Sequence, residues 1–298
     1  MATIGDVAKR PFKAEHHGER SAASIVFLIA LWFALVFAVL CLVTLLVTSF
    51  IDALPRLDTN VLTEYSSQIS PETGGARAAI LGSLWVIATT AVLSIPLGIA
   101  AAIYLEEFAD STRWYNRLVE VNLQNLAAVP AIVYGMLTAG FALTLGMRRG
   151  IVLAGGIALA LLILPVIIIT AREALRAVPA EIRQGSLALG ATPLQTVWRQ
   201  TLPSAIPGVA TGTILALSRA LGEAAPLLLL GAAVFIRFDP DGLLSGFTTL
   251  PIQIFSWAGQ PQAEFQDLAA AAIIVLLVML LAMNAVAIII RNRYQRRW

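Results

Sequence analysis

Long apolar runs constrain this chain more than any other feature of its sequence. Only 13% of its 298 residues are charged, against about a quarter in soluble domains. Stretches of this length and apolarity can each cross the roughly 30 Å hydrocarbon core of a bilayer. The sequence therefore predicts an all-α integral membrane protein, a six-helix transmembrane bundle. The six predicted spans cover residues 25–50, 79–104, 121–146, 151–171, 204–236 and 268–290.

The two ends of the chain are polar. Residues 1–24 form a polar tail, and residues 291–298 form a basic tail after the last span. The first run, residues 25–50, is too long for the core of a signal peptide and lacks an A-x-A cleavage site. We therefore predict that it is a retained leading transmembrane helix.

Lysine and arginine are distributed unevenly between the two sides of the predicted bundle. Fourteen of the 20 lie in the two tails and in the loops 105–120 and 172–203, five lie on the opposite side, and Arg219 lies within a span. Cations near the ends of spans are retained on the cytoplasmic side. We therefore predict a multi-pass protein in contact with membrane lipid, with both termini in the cytoplasm.

The sequence contains no motif for catalysis. A P-loop needs Gly-Lys-Ser/Thr, and neither of the two lysines follows a glycine. The single cysteine and the two adjacent histidines of the N-terminal tail do not form a metal-ligand set. We expect no enzyme activity, no cofactor and no metal site, and a net charge of +2 predicts no nucleic-acid partner. A transport subunit, a channel and a membrane scaffold remain the candidate functions.

The loop 172–203 is long for a connection between two spans, and its pattern predicts two short helices joined by an elbow. Pro179 is placed to open the first helix, and Gly190 to end it, because glycine adopts the left-handed conformation easily. Residues 192–195, Thr-Pro-Leu-Gln, have the form of a capping box with proline at N1. They predict a second helix that ends before Pro203. Such an elbow has a shape suited to docking on another protein; an elbow that only covers the bundle is the alternative.

Residues 218–227, SRALGEAAPL, carry two ionisable side chains inside the fifth apolar run. An ionised side chain at the centre of a membrane helix costs roughly 2.5–3.5 kcal/mol. On one continuous helix Arg219 and Glu223 would share a face and pair, and small neighbours such as Ser218 leave room for another helix or a solute. Two interpretations stay open. The pair is either a structural clamp or a substrate-pathway site in which the planar fork of Arg219 faces an oxyanion.

The elbow resembles the cytoplasmic "EAA" loop of permease subunits of bacterial ABC importers. A typical form of that loop is E-A-A, three residues, G, nine residues, I-x-L-P. Gly190 and Leu202-Pro203 match, whereas residues 184–186 read Gln-Gly-Ser in place of E-A-A. The resemblance implies a type I ABC importer permease domain over residues 79–290, with 172–203 as the coupling-helix loop that docks on the ATPase. The expected docking residues are Glu181, Gln184, Gly185, Ser186, Ala188, Gly190, Leu202 and Pro203.

Residues 218–227 resemble the S-R-A-x-G-E-[TA]-A-P-L segment of the A-type subunit in the phosphate-specific branch of these permeases. The stretches 125–135, NLAAVPAIVYG, and 250–272, LPIQIFSWAGQPQAEFQDLAAAA, are also similar to that subunit. The resemblance implies a permease subunit of an ATP-driven inorganic phosphate importer in a bacterial inner membrane. With this resemblance we expect Arg219, Glu223 and Ser218 to be the substrate-pathway residues, with the structural clamp as the alternative.

The same resemblance implies a set of partners. They are a second homologous permease subunit, two copies of an ATP-binding subunit and an extracytoplasmic phosphate-binding protein. Three alternatives remain. The chain could be a permease for another oxyanion such as sulfate or molybdate, an ATP-independent anion channel or carrier that uses Arg219 and Glu223 as a relay, or a structural or signalling membrane subunit.

Overall fold

The computed structural model describes residues 22–110, 112–232 and 235–294. Within those ranges the regular structure is helical, apart from an isolated antiparallel bridge between Ile151 and Gly246. The α-helices are α1 Ala22–Ala53, α2 Thr59–Thr63, α3 Arg77–Ile103, α4 Trp114–Ala127, α5 Ala131–Thr144, α6 Val152–Arg176, α7 Ala180–Ala188, α8 Pro193–Thr196, α9 Leu202–Leu221, α10 Ala225–Leu229, α11 Leu250–Ala258 and α12 Ala263–Tyr294. Short 3-10 helices cover Leu54–Arg56 and Pro71–Thr73, and π-helices cover Tyr104–Phe108 and Val197–Thr201.

The chain divides after Thr48 into two compact units. The described part of the first unit is the greater part of α1, which carries no charged residue between Ala22 and Thr48. The second unit begins at Ser49 and contains all the other helices.

Helix α6 packs against both α3 and α9 in the second unit. Its isoleucines Ile163 and Ile167 are fully buried. Small residues let the three backbones approach closely, since a methyl group added at Gly156 or at Gly212 would collide with a threonine side chain of the neighbouring helix. Close approach over small residues is how membrane helices gain contact area, because lipid tails are as apolar as the side chains.

Among the described residues, five helices are long and apolar enough to cross a membrane, and a sixth span results if α4 and α5 are counted as one broken span. The fold is therefore nearly all-helical, with five or six candidate membrane spans in the described ranges. The prediction of one continuous helix over 121–146 is wrong, because α4 and α5 meet at a bend of 108°. Pro130 lies at the N-cap of α5. Proline disfavours the helical conformation in the residue before it and donates no backbone hydrogen bond, so the helix breaks there.

The predicted span 204–236 is also interrupted. Helix α9 ends at Leu221, Gly222 forms its C-cap, and the five-residue α10 follows after Ala224. Pro226 cannot donate to the carbonyl of Gly222, and its ring would clash with that carbonyl in a continuous helix. The chain therefore breaks within the segment that holds the two ionisable residues.

Candidate functional site

Arg219 and Glu223 do not form the predicted ion pair. Arg219 lies in the last turn of α9, whereas Glu223 follows the end of that helix, so the four-residue helical spacing does not apply. Within the described ranges neither side chain has a hydrogen bond or an ion pair. Arg219 is exposed and Glu223 is half-buried. The guanidinium therefore keeps five N–H donors for a partner outside the described part of the chain.

The position of Arg219 at the end of α9 lowers the cost of its charge. The carbonyls of the last helical turn carry a partial negative charge, and an arginine there is stabilised by about 0.3–1 kcal/mol. Irregular backbone at membrane depth is tolerated where protein covers it or where it lines a water-filled cavity. The break at 222–224 thus places an arginine that has no partner among the described residues next to irregular backbone.

Ser218 contacts helix α12, and the residues around Ser218 in the sequence do not predict this contact. Its Oγ lies 2.6 Å from Asn284 Oδ1 of α12. Seven residues away on each helix, Arg291 donates to Thr211 Oγ1 at 3.0 Å. These two polar clasps join the antiparallel helices α9 and α12. Successive residues on a helix are about 100° apart. Because Ser218 faces α12, the side chain of Arg219 points away from α12.

The clasp leads to a prediction about stability. In a double-mutant cycle of Ser218→Ala with Asn284→Ala, we expect a coupling energy of about 1 kcal/mol, within the range of polar contacts between membrane helices. The measurement is reversible unfolding of the purified protein in mixed detergent micelles. Thr144 is an exposed threonine whose hydroxyl, within the described part of the chain, bonds to its own helix. It supplies the control in a matched cycle of Thr144→Ala with Asn284→Ala. Strictly additive effects of Ser218→Ala and Asn284→Ala would contradict the clasp.

Two of the stretches singled out by sequence lie against each other. A methyl group on Gly135 of α5 would lie 2.7 Å from Pro226 Cα of α10, so the backbones of 125–135 and 218–227 touch at this point. Across the break between α4 and α5, the hydroxyl of Tyr134 donates to the carbonyl of Leu126 at 2.7 Å. The break between α4 and α5 is thus held in a defined arrangement against α10.

The elbow has the predicted caps. Pro179 is the N-cap of α7, and Gly190 has a φ of 85° just after that helix. Thr192 and Gln195 form the predicted capping box: Gln195 N donates to Thr192 Oγ1 at 3.3 Å, and Thr192 N donates to Gln195 Oε1 at 3.0 Å. These local predictions are confirmed.

The predicted end of the second helix before Pro203 is wrong. Helix α8 continues through the π-helix Val197–Thr201 directly into α9, and Leu202 N donates to the carbonyl of Val197. A π turn changes the hydrogen-bond register by one residue. The proline, which has no N–H to donate, is accommodated at the start of α9 without a break.

The expected docking residues divide into an exposed group and a half-buried group. Ser186 is half-buried and lies within hydrogen-bond distance of Thr196 Oγ1, at 2.9 Å, which joins α7 to the next helix. Leu202 and Pro203 are half-buried at the start of α9. The exposed members are Glu181, Gln184, Gly185, Ala188 and Gly190.

Arg183 anchors the elbow to the bundle, a role that sequence reasoning missed. Its Nη2 donates to Glu107 Oε1 at 2.8 Å and to the carbonyl of Leu175 at 2.6 Å, and its Nη1 donates to the carbonyl of Val178 at 2.9 Å. Glu107 lies in the π-helix that follows α3. One side chain of α7 therefore bonds to the ends of both α3 and α6.

Further ion pairs lie next to this anchor. Arg172 bonds to Glu120 at 3.0 Å and lies 3.4 Å from Glu106, and Arg176 bonds to Glu106 at 3.0 Å. The two carboxylates belong to the π-helix after α3 and to α4, and both arginines belong to the last turns of α6. The only hint in the sequence is that glutamates and arginines occupy loops predicted on the same side.

Comparison with known proteins gives matches along most of the chain. Residues 94–298 match the family described as "Binding-protein-dependent transport system inner membrane component". The chain is 31% identical over 256 residues to the phosphate transport system permease protein PstA of Yersinia pestis, covering 86% of this chain and 85% of that protein. It is 34% identical over 227 residues to PstA 1 of Mycobacterium tuberculosis (strain CDC 1551 / Oshkosh), covering 75% of this chain and 73% of that protein.

The fold is similar to that of a solved importer. An inward-facing structure of the MetNI methionine ABC transporter matches with a TM-score of 0.57 at 21% identity, covering 74% of this chain and 97% of that chain. At this identity the likeness concerns the fold, which is that of ABC importer permeases. Together with the family match and the relatives above, it shows that the chain belongs to the binding-protein-dependent transport system inner membrane component family, in the group of its PstA members.

Proposed function

We propose that this chain is one of the two membrane permease subunits of an ATP-driven importer of inorganic phosphate. The observation that carries the proposal is its 31–34% identity to PstA permeases over three quarters or more of its length. Arg219, without a partner in the described structure, lies at the helix break inside residues 218–227. A guanidinium offers phosphate two parallel charge-assisted hydrogen bonds, which suits it to this anion.

Arg219 and Glu223 have different roles in phosphate binding in this proposal. Arg219 receives the anion as it moves along the path between this subunit and the partner permease. Glu223, which is half-buried nearby in the chain, limits how tightly the anion is held. Conduction requires binding strong enough for the solute to enter and weak enough for it to leave. A site built only of cations would retain the phosphate.

The elbow is the proposed contact with the ATP-binding subunits, two copies of which would serve the pair of permeases. In this proposal it faces the cytoplasm, in agreement with the distribution of lysine and arginine along the chain. Leu189 of its turn is 91% exposed, and the concave surface beside it encloses about 410 Å³ between α7 and the following helix. Exposed apolar groups around a concave surface support docking of another protein. An extracytoplasmic phosphate-binding protein would deliver the substrate to the opposite side.

Complementation of a bacterial strain that lacks phosphate import tests the function. We expect this chain, expressed with its candidate partner subunits, to restore phosphate uptake that depends on ATP. Omission of the ATP-binding subunit should abolish the uptake. Uptake that persists without that subunit would favour the channel or carrier alternative. Normal assembly without uptake of any oxyanion would favour a structural or signalling subunit.

The turn at Gly190 gives a prediction about assembly. We expect Gly190→Val to weaken co-purification of the ATP-binding subunit, because a left-handed conformation costs a residue other than glycine roughly 1–2 kcal/mol and would distort the docking turn. Gly242→Val is the matched control, since Gly242 has open space around it and no positive φ. Unchanged co-purification in pull-down assays of Gly190→Val would count against docking at this turn.

A further inference from the structure

Two adjacent arginines line a cavity on the predicted outer side of the bundle. The cavity encloses about 640 Å³ between the turn that follows α5 and the turn that follows α10. Arg148 and Arg149 belong to its wall, and none of the described wall residues is an aspartate or a glutamate. The cavity lies at the N-terminal end of α6, whereas the elbow follows the C-terminal end of that helix.

Arg148 and Arg149 are exposed, and among the described residues neither side chain has a hydrogen bond or an ion pair. Two of the three other arginines predicted on this side are engaged. Arg56 donates to the carbonyl of Gly74 at 2.7 Å, and Arg77 donates to Asp239 Oδ2 at 2.6 Å. Two neighbouring cations without a counter-charge repel each other and produce a positive local potential that attracts an anion.

The backbone around the arginines is tightly built. Gly146 and Gly231 adopt φ values of 66° and 76° in the turns after α5 and α10. A methyl group on Gly150 would lie 2.6 Å from the carbonyl oxygen of Gly231, so the two turns touch. Next to them, Val152 N donates to the carbonyl of Ser245 at 3.0 Å. The arginines are therefore carried by a defined backbone.

The cavity is connected along the chain to the helix break. Its wall includes Leu229 and Leu230, at the end of α10, and α10 begins directly after Glu223 and Ala224. A five-residue helix is about 7.5 Å long. The arginine pair thus lies near one end of α10 and the segment of Arg219 and Glu223 at the other.

We propose that Arg148 and Arg149 form an admission site for a phosphate-type oxyanion, upstream of Arg219; for free phosphate, this rests on the proposed function. The cavity is much larger than a phosphate ion, so the anion enters with part of its hydration shell and is held weakly. Weak binding suits a site from which the anion must move on to the next arginine. A phospholipid headgroup presents the same chemistry and is the second possible source of the oxyanion.

The first arm of the test measures transport in vesicles that contain the complete complex with its partner subunits. With saturating phosphate-loaded binding protein, we expect Arg148→Gln with Arg149→Gln to lower the phosphate uptake rate by about tenfold, the scale of electrostatic steering at low salt. The variant should also lose most of the salt dependence of that rate. Replacement of both by lysine should retain more uptake, because the charge remains. Arg117→Gln is the control, since Arg117 is an exposed arginine without a described ion pair, on the side predicted to be cytoplasmic.

The second arm measures binding directly. Its result therefore tests the site even if the complex imports no phosphate. Radiolabelled inorganic phosphate is equilibrated with the complex in lipid nanodiscs, and retained phosphatidylglycerol is measured by native mass spectrometry. Loss of phosphate binding in the double glutamine variant identifies free phosphate as the ligand, and loss of retained phosphatidylglycerol identifies the headgroup. Equal values for wild type and variant in both measurements would overturn the site. So would an uptake defect explained entirely by weaker docking of the binding protein. Absence of phosphate import by the wild-type complex would instead refute the proposed function.

Discussion

Replacing Arg219 by glutamine is expected to lower ATP-dependent phosphate uptake by about 100-fold or more. Two charge-assisted hydrogen bonds to the anion are lost, and each is worth about 1.5–3 kcal/mol. The guanidinium has no partner within the described part of the chain, so this loss should not unfold the subunit. Uptake of labelled phosphate into vesicles, together with the recovery of intact complex, measures the effect.

Two further variants sharpen this expectation. Arg219→Lys keeps the charge but not the fork, and we expect it to retain a measurable part of the uptake. Arg117→Gln, which changes an exposed arginine without a described ion pair, serves as the control. Normal uptake by a correctly inserted Arg219→Gln protein would exclude Arg219 from the pathway. Dissociation of the complex would instead identify Arg219 as a clamp to the partner permease.

Replacing Arg183 by alanine is expected to separate ATP hydrolysis from transport. The side chain joins the elbow to Glu107 and to the carbonyls of Leu175 and Val178, at the ends of α3 and α6. Without these bonds, movement of the elbow is no longer transmitted to the two helices. We expect phosphate uptake to fall by about tenfold, whereas the bound ATP-binding subunits continue to hydrolyse ATP. The ratio of phosphate transported to ATP hydrolysed is the measurement.

The expected uncoupling has its own controls. Glu107 is only 10% exposed, so Arg183→Ala also leaves a largely buried carboxylate unpaired, which is destabilising. Arg183→Ala combined with Glu107→Gln removes that unpaired charge and should restore stability without restoring coupling. Arg117→Ala tests for a general effect of losing a cation on this side. If uptake and ATP hydrolysis fall in parallel, the link is structural only.

The features that could be predicted correctly from the sequence are those determined by local chemistry. The cap at Gly190 and the box formed by Thr192 and Gln195 depend on residues within four positions of one another. Long apolar runs likewise indicate a membrane environment through composition alone. Both kinds of feature can therefore be predicted from the amino-acid sequence alone.

Helix continuity could not be read in the same way. Pro130 and Pro226 accompany breaks, but Pro96, Pro165 and Pro207 lie inside α3, α6 and α9. In a membrane, a proline is tolerated within a helix where neighbouring groups satisfy the freed carbonyl. Whether they do so depends on tertiary packing. The predicted ion pair of Arg219 and Glu223 was wrong for this reason, since the prediction assumed an unbroken helix.

Long-range polar contacts were equally beyond a single sequence. Ser218 and Asn284 are separated by 66 positions, and Arg183 and Glu107 by 76. Nothing in either member of these pairs identifies the other. Asn284 was recognisable only as an isolated amide within an apolar run, a pattern that indicates a helix contact or a pathway but not which one.

The most direct test of the phosphate importer is accumulation of labelled phosphate in vesicles that contain the complete complex and the binding protein. We expect accumulation above the external concentration when ATP is supplied to the ATP-binding subunits, and none without ATP. We also expect excess sulfate or molybdate to leave the rate unchanged. Accumulation without ATP, or inhibition by sulfate or molybdate equal to that by unlabelled phosphate, would contradict the proposed function.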